Sequence, residues 1–193
     1  MTITGLILAG GRGTRMGSVD KGLQLFRGIP MVQHVTTRLR PQVSCLMINA
    51  NRNLAEYETI CTPVWPDAMQ DFPGPLAGLQ TGLMHCRTSL LVTAPCDSPF
   101  VPRDLVSRLL SGLTDKCDIA VAVTGSADRV QSQPVFCLVK SSLLQHLTNY
   151  LHNGGRKFDA WYATLSVAQV HFEDEAAFRN INTLDELQKF SVD

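Results

Sequence analysis

Short apolar runs alternate along the chain with segments whose apolar residues recur at helical spacing. The apolar runs predict β-strands at residues 2–8, 44–48, 62–65, 90–94, 119–123 and 135–139. The segments between and after them predict α-helices at residues 30–39, 52–59, 76–85, 105–113, 143–151 and 183–190. The last of these opens with Thr183-x-x-Glu186, a capping-box pattern. This alternation is typical of an α/β fold with a mostly parallel sheet and helices on both faces.

Four of the predicted strands are followed within three residues by a glycine or a polar residue. Gly10, Asn49, Asp67 and Asp97 each come just past a predicted strand end. Ligands of open α/β sheets bind outside the carboxyl ends of the strands. We therefore expect these four residues to line one edge of the sheet together.

The loop after the first predicted strand has the composition of an anion site. The segment LILAGGRGTRMGSVDKG, residues 6–22, carries three glycines within four positions, together with Arg12, Arg15 and Lys21. Glycines permit positive φ and let backbone N–H groups approach a ligand closely, and successive exposed N–H groups form an anion-binding nest. The segment therefore predicts a polyphosphate site.

Two common phosphate-binding loops do not fit this segment. A P-loop needs a Gly-Lys-Ser/Thr sequence, which does not follow the first strand. A dinucleotide-binding loop needs a third glycine where Met16 stands, and an acidic residue after the second strand, where the chain reads Asn49-Ala50-Asn51. A nicotinamide-dependent oxidoreductase is therefore disfavoured.

Composition narrows the classes of protein that fit. The chain has 193 residues, 45% of them hydrophobic, which suits a single domain over residues 1–193. A net charge of zero argues against a dedicated nucleic-acid binder. The charge is nevertheless uneven: residues 1–50 hold six of the seventeen Lys and Arg but one of the seventeen acidic residues. The positive end therefore coincides with the predicted anion site.

Cysteine usage and hydropathy predict a cytoplasmic protein. The six cysteines form no C-x-x-C pair, and several lie in apolar stretches, such as Cys45 and Cys137. We interpret them as buried, reduced thiols rather than disulfides or a zinc site. The chain start has no charged leader region, and no apolar run approaches the ~18 residues of a membrane span.

Six blocks distributed over almost the whole chain resemble the molybdenum cofactor guanylyltransferases, within the nucleotidyltransferases that activate a phosphorylated acceptor. The blocks are Leu8-Ala9-Gly10-Gly11 with Arg15-Met16-Gly17, Asp20-Lys21-Gly22, Asn49-Ala50-Asn51, Asp67 with residues 72–78 (FPGPLAG), residues 95–99 (PCDSP) and residues 180–183 (NINT). The resemblance implies a Rossmann-like fold of the nucleotidyltransferase type. It also implies a nucleotide-binding N-terminal half and an acceptor-binding C-terminal half.

Three residues are predicted to act on the phosphates. Asp97 follows a strand end and is our candidate ligand for Mg²⁺, which takes few protein carboxylates and completes its shell with water and phosphate oxygens. The resemblance assigns the same role to this residue. Lys21 supplies a compact positive charge for phosphate oxygens, and Arg15 can brace the triphosphate through paired hydrogen bonds. Asp20 is expected to orient the loop or Lys21 rather than to bind metal.

The remaining nucleotide contacts rest on the resemblance. Asn49 can hydrogen-bond the sugar or the base. Asp67 can accept two N–H groups from guanine or hold the ribose hydroxyls, and the sequence leaves both alternatives open. Backbone groups of Leu8 and Ala9 are expected to meet the base, while Gly10 and Gly11 meet the phosphates.

The acceptor side is expected to include Gly78, Asn180 and Asn182. Gly78 lies in the first turn of the predicted third helix, and it shares a helix face with Gly82, which favours close packing or a ligand. Asn180 and Asn182 alternate in an extended segment and resemble an acceptor-binding pair that suits a pterin ring. Arg156 can meet the acceptor phosphate or cap a helix, and the sequence does not separate these roles.

The resemblance implies transfer of GMP from GTP to the terminal phosphate of a molybdopterin cofactor, with Mg²⁺ and with release of pyrophosphate. Other cofactor-biosynthesis or acceptor proteins are allowed as partners, whereas nucleic acid and membranes are not expected. A related cytidylyltransferase or sugar-phosphate nucleotidylyltransferase remains the first alternative, since backbone contacts can select the base. A nucleotide-binding regulator without turnover is the second.

Overall fold

The computed structural model describes residues 2–10, 20–69, 74–126 and 129–191. The first half of this chain comprises β1 (Ile3–Leu8), β2 (Leu25–Phe26), β3 (Ile29–Pro30), α1 (Met31–Leu39), β4 (Cys45–Asn49), α2 (Leu54–Ile60), β5 (Val64–Trp65) and α3 (Pro75–His85). The second half comprises β6 (Leu90–Pro95), α4 (Leu105–Gly112), β7 (Ile119–Ser126), β8 (Arg129–Lys140), α5 (Leu144–His152), α6 (Phe158–Tyr162), β9 (Val167–His171) and α7 (Leu184–Ser191).

Within the described part of the chain, seven strands form one sheet in the order β5-β4-β1-β6-β8-β7-β9. The pairs β5–β4, β4–β1, β1–β6 and β7–β9 are parallel. Strand β8 runs antiparallel to both of its neighbours, because β7 and β8 are joined as a hairpin rather than by a crossover helix. The predicted mostly parallel α/β sheet is confirmed.

Alternate residues of β1 face two separate hydrophobic layers. Ile3 and Ile7 pack with α1, α2 and α4 on one face of the sheet. Leu6 and Leu8 pack with α3, α5 and α6 on the other. Because successive side chains of a strand point to opposite faces, a continuous apolar run such as β1 needs cover on both sides.

A third, small cluster attaches the C-terminal helix to the sheet edge that carries the strand ends. Phe26, Met31 and Ile181 are fully buried there, and Phe100 and Phe190 pack against them. Helix α7 begins with the predicted capping box: the Glu186 N–H donates to Thr183 Oγ1 at 3.1 Å, and the Thr183 N–H donates to Glu186 Oε2 at 3.2 Å.

Four elements of the described chain lie outside the sequence prediction: strands β2 and β3, helix α6 and strand β9. The β2–β3 hairpin turns at Arg27 and Gly28, which have φ of 51° and 82°, and an arginine is an unusual residue at a left-handed position. Helix α6 and strand β9 are short and lack a strong apolar period. Strand β8 begins at Arg129, well before the predicted residues 135–139. The prediction missed its first half because that half is mostly polar and exposed and contains no apolar run.

Two further expectations need correction. Asn49 is the last residue of β4 rather than the residue after it. Cys45 is exposed, because it is the first residue of β4, at the rim of the sheet. Cys61, Cys96 and Cys137 are buried, and all six cysteines are free thiols. The described residues contain no helix that is both long and apolar enough to cross a membrane.

Candidate active site

Four neighbouring parallel strands end at one level of the sheet. The last residues of β5, β4, β1 and β6 are paired with one another across the sheet. They are Trp65, Asn49, Leu8 and Pro95. Two positions beyond this row come Asp67, Asn51, Gly10 and Asp97. The predicted convergence of the strand ends is thus confirmed, and it follows from register alone.

Lys21, Asp97 and Asn182 form one group of contacting side chains, which we call the phosphate-side cluster. The Lys21 ammonium lies 3.3 Å from Asp97 Oδ2 and donates to Asn182 Oδ1 at 2.7 Å. The Lys21 and Asp97 side chains are 21% and 13% exposed, so both reach the surface only partly. Residues separated by up to 161 positions therefore meet at one point.

Burial raises the pKa of Asp97, and the Lys21 ammonium and hydrogen bond oppose that rise. A carboxylate taken out of water is stable as an anion only when a cation or strong donors face it. In this site the cation is Lys21, which stabilises the charged form of Asp97.

The segment that precedes α7 is held against the end of β6. The Ile181 N–H donates to the Asp97 carbonyl at 2.9 Å, and the Ser98 hydroxyl donates to Asn180 Oδ1. Asn180 and Asn182 thus flank the buried Ile181 and meet the two residues Ser98 and Lys21. Contact of these two asparagines with an acceptor stays a prediction.

Asn49, Asn51 and Asp67 form a second group, the amide–carboxylate network. Asn49 Nδ2 donates to Asp67 Oδ1 at 2.9 Å, and Asn51 Nδ2 donates to Asp67 Oδ2 at 2.8 Å. The Asp67 N–H donates back to Asn51 Oδ1 at 2.8 Å. A carboxylate offers about four acceptor positions, so Asp67 keeps capacity for ligand donors while its orientation is fixed.

Gly78 lies where α3 crosses the ends of β1 and β4. A Cβ on Gly78 would collide with Asn49 Oδ1 and approach Leu8 Cδ2 to 2.7 Å. Gly82, one turn later, faces Leu6 in the same way. Both glycines therefore serve close packing of the helix on the sheet, and an acceptor contact by Gly78 stays a prediction.

Some backbone groups at the end of β1 are already hydrogen-bonded to the neighbouring strand ends. The Ala9 N–H donates to the Asn49 carbonyl at 2.8 Å, and the Leu8 carbonyl accepts from the Cys96 N–H at 3.1 Å. These two groups are thus hydrogen-bonded within the fold, and a base contact by Leu8 or Ala9 stays a prediction. Asn51 Nδ2 also donates to the Gly10 carbonyl at 3.4 Å. The side chains of Asn49 and Asn51 therefore both lie next to Gly10, just past the end of β1.

Arg156 caps a helix in the structure. Its Nη1 donates to the carbonyls of Leu151 and Gly155 at 2.9 and 2.6 Å, at the end of α5. Cationic side chains stabilise the unpaired carbonyls of a helix C-terminus. Of the two roles that the sequence allowed, the structure shows the cap. Gly11 and Arg15, which were predicted to bind phosphate, lie outside the described residues.

Sequence reasoning missed the residues that support the site from beneath. Asp20 accepts from the Tyr57 hydroxyl at 2.5 Å and from Asn53 Nδ2 at 3.1 Å, so α2 holds the segment that carries Lys21. Tyr57 belongs to a helix that the pattern predicts, but its apolar spacing indicates a core residue. In the sequence, only the position of Asp20 next to Lys21 indicates a role for Asp20. Nothing in the sequence indicates that Tyr57 and Asn53 are its partners.

The donor set at Asp97 is compatible with a magnesium ion that is shared with a ligand. The described residues contain no cluster of three or more His, Cys, Asp and Glu side chains placed to hold a metal. A single buried carboxylate is nevertheless the typical protein contribution where substrate phosphates and water complete an octahedral Mg²⁺ shell.

Comparisons with known proteins show which sequences this chain resembles. The sequence model of the MobA-like NTP transferase domain matches residues 5–167. A molybdenum cofactor guanylyltransferase of Cupriavidus necator is 57% identical, over 96% of this chain and 94% of that protein. One of Bordetella petrii is 55% identical, over 97% and 96%.

Solved structures show the same fold at lower identity. A molybdopterin-guanine dinucleotide biosynthesis protein A of Archaeoglobus fulgidus superposes with a TM-score of 0.78 at 22% identity, covering 98% of this chain and 97% of that one. A CMP:2-keto-3-deoxy-manno-octonic acid synthetase complexed with CTP superposes with a TM-score of 0.80 at 13% identity, over 100% and 98%. Both likenesses establish the fold.

Proposed function

The chain belongs to the MobA-like NTP transferase domain family, and from this premise we propose that it is a guanylyltransferase that acts on a molybdenum cofactor. The reaction is transfer of GMP from GTP to the terminal phosphate of molybdopterin, with release of pyrophosphate. The observation that carries the proposal is the position of the phosphate-side cluster on the same sheet edge as the amide–carboxylate network.

The sheet order sets how a nucleotide would lie in this site. Asp67 follows β5 and Asp97 follows β6, with β4 and β1 between them. Neighbouring strands are about 4.8 Å apart, so roughly 14 Å of strand ends separates the two carboxylates. A GTP molecule placed across these ends has its nucleoside on the Asp67 side and its triphosphate on the Asp97 side.

The nucleoside contacts come from the amide–carboxylate network. Asp67 accepts from guanine N–H groups or ribose hydroxyls, and Asn49 reinforces it from below. Backbone groups of Leu8 and Ala9 contact the base in this proposal, and those of Gly10 and Gly11 contact the phosphates. Asn180, Asn182 and Gly78 are the proposed acceptor side, on the C-terminal half of the chain.

The reaction needs charge neutralisation and alignment more than proton transfer. The second pKa of a phosphate monoester is about 6, so the attacking phosphate is already ionised at neutral pH. Lys21 and Arg15 lower the repulsion between this phosphate and the triphosphate, and they neutralise charge as pyrophosphate leaves. Asn182 holds the Lys21 ammonium at a fixed point, which favours in-line geometry.

Asp97 is the proposed ligand of a divalent cation, which we take to be Mg²⁺. The ion, when bound, supplies positive charge to the α- and β-phosphate oxygens. What supports this role is the position of Asp97, a buried carboxylate just past the end of β6, on the sheet edge where the phosphates would lie.

Titration calorimetry with each nucleoside triphosphate in Mg²⁺ tests the proposal, with wild type and Asp97→Ala side by side. Selective GTP binding that weakens strongly in Asp97→Ala, followed by pyrophosphate release on addition of molybdopterin, is the expected result. A preference for CTP or UTP would assign the protein to a sister transferase. Binding without pyrophosphate release with any acceptor would favour a regulator.

A further inference from the structure

The segment that carries Lys21 is anchored to α2 through the side chain before it. Asp20 Oδ1 accepts from the Tyr57 hydroxyl at 2.5 Å, and Asp20 Oδ2 accepts from Asn53 Nδ2 at 3.1 Å. Both carboxylate oxygens are thus turned toward α2. Lys21, the next residue, reaches instead toward Asp97 and Asn182.

The backbone after Lys21 rests on the same tyrosine. A Cβ on Gly22 would lie 2.5 Å from the Tyr57 hydroxyl oxygen and 3.2 Å from Cys96, so only glycine permits this approach. The Leu23 and Gln24 N–H groups donate to the carbonyls of Asp20 and Lys21, at 3.3 and 3.1 Å, which closes the turn. The Lys21 main chain is therefore held on both sides.

Tyr57 is suited to this role because it stays a donor. It is fully buried within the layer that contains α1 and α4. Burial raises the pKa of Tyr57, with Cys96 and Asp20 adding to the rise, so the hydroxyl keeps its proton throughout the physiological range. A buried hydroxyl requires a partner, and here that partner is a carboxylate, which makes the hydrogen bond stronger than a neutral one.

We propose that Tyr57 and Asn53 are positioning residues for the transferase reaction, which act by clamping Asp20. The clamp does two things. It fixes the main chain from which Lys21 extends, so the ammonium reaches Asp97 and Asn182 from a defined position. It also keeps the negative charge of Asp20 directed at α2, away from the triphosphate and from the Lys21 ammonium.

This inference rests on the proposed function, and wild type serves as the test of that function in the same experiment. The clamp variants are Tyr57→Phe and Asn53→Gly. Asn53 has φ of 52° and ψ of 37°, a left-handed conformation that glycine adopts freely, so the second variant removes the donor and keeps the backbone. Tyr162→Phe is the matched control, because Tyr162 is also buried and its hydroxyl donates to the Pro134 carbonyl at 2.6 Å.

Binding of Mg²⁺-GTP by calorimetry, KM and kcat for GTP, and unfolding in urea are measured for all four proteins. We expect each clamp variant to bind GTP about tenfold more weakly, to raise KM accordingly and also to lower kcat, because the Lys21 ammonium that the clamp positions is the group assigned to the transition state. A tenfold change is the size expected for one lost hydrogen bond to a charged group. Tyr162→Phe should lose stability without this change in KM.

A double-mutant cycle with Asp20→Asn separates positioning from general packing. If the clamp acts through Asp20, Tyr57→Phe adds little to the weakened GTP binding of Asp20→Asn. Fully additive effects, or GTP binding in both clamp variants equal to that of Tyr162→Phe, would overturn the inference while wild-type turnover still stands. Wild type that binds no GTP would overturn the proposed function itself.

Discussion

Asp67 and Asp97 occupy equivalent positions in the sheet and have contrasting surroundings. Each lies two residues beyond the row of register partners at which its strand ends. Asp67 is half-buried and accepts from two neutral amides, those of Asn49 and Asn51. Asp97 is buried and faces the Lys21 ammonium. Topology places both carboxylates at the edge, and their neighbours give them different chemistry.

The two sites also differ in where their partners come from. The partners of Asp67 are 16 and 18 positions away in the chain. Lys21 is 76 positions from Asp97 and 161 from Asn182. A neutral network made from nearby strand ends suits a nucleoside, whereas a charged cluster assembled from distant segments suits phosphate and metal.

The largest effect is expected at the charged cluster. Asp97→Ala or Lys21→Ala should abolish turnover, with kcat at least about a thousandfold lower, because either change leaves the charge of the other uncompensated and removes charge stabilisation of the transition state. Pyrophosphate release measures the effect, and circular dichroism checks the fold.

A surface carboxylate provides the control for this experiment. Asp104 forms a looser pair with Arg108, at 3.8 Å, and its side chain is 58% exposed. Asp104→Ala should leave turnover unchanged, since exposed pairs of this kind contribute little. Near-normal activity of Asp97→Ala or Lys21→Ala would contradict the proposed mechanism.

A smaller effect of another kind is expected at Asp67. Asp67→Asn should raise KM for GTP about tenfold with little change in kcat, because the new NH₂ group faces an amide donor of Asn49 or Asn51 and disturbs the network. Asp118→Asn is the control: Asp118 accepts from the Ser166 N–H at 2.9 Å, far along the chain from this network. A loss confined to kcat would show that the two carboxylates share one role.

Two glycines of α3 distinguish site from core on one helix face. Gly78→Ala pushes on Asn49, whereas Gly82→Ala pushes on Leu6. Overpacking should lower the free energy of unfolding of both variants by about 1–3 kcal/mol, measured in urea. Weaker GTP binding is expected for Gly78→Ala alone. Equal GTP binding by the two variants would show that Asn49 does not transmit the change.

The smallest effect concerns how the free energy of unfolding depends on pH through Asp97. The pKa of Asp97 is raised by burial above its ordinary value of 3.8, so the folded protein holds this proton more tightly than the unfolded chain does. The stability contribution of Asp97 is present in full below that ordinary value and is lost as pH rises through the raised pKa. Asp97→Asn should therefore unfold less readily than wild type at neutral pH.

Urea unfolding of wild type and Asp97→Asn, from about pH 4 to about pH 8, measures this difference. The advantage of the variant should shrink toward the acidic end, because wild-type Asp97 binds a proton increasingly as pH falls. A difference that is constant over this range would mean that the charge of Asp97 does not set it. Gain of stability together with loss of turnover would indicate that the charged cluster is maintained for function.

Much of the fold follows from local patterns. The strands β1, β4 and β6 and the helices α1, α3, α4 and α5 were predicted within a few residues, because each combines an apolar run or period with a clear end. The β2–β3 hairpin, α6 and β9 were missed. Their sequences carry no strong period, and contacts from the rest of the chain stabilise them.

The sequence by itself determined which residues follow the strand ends, and with them the acidic, amide and glycine positions of the candidate site. It determined the capping box of α7, since Thr183 and Glu186 are neighbours on one helix turn. Only the tertiary structure decided that Lys21 meets Asp97 and Asn182, that α2 clamps Asp20, and that Cys45 is exposed. These outcomes depend on which distant segments the sheet order brings together, and no local pattern of residues encodes that order.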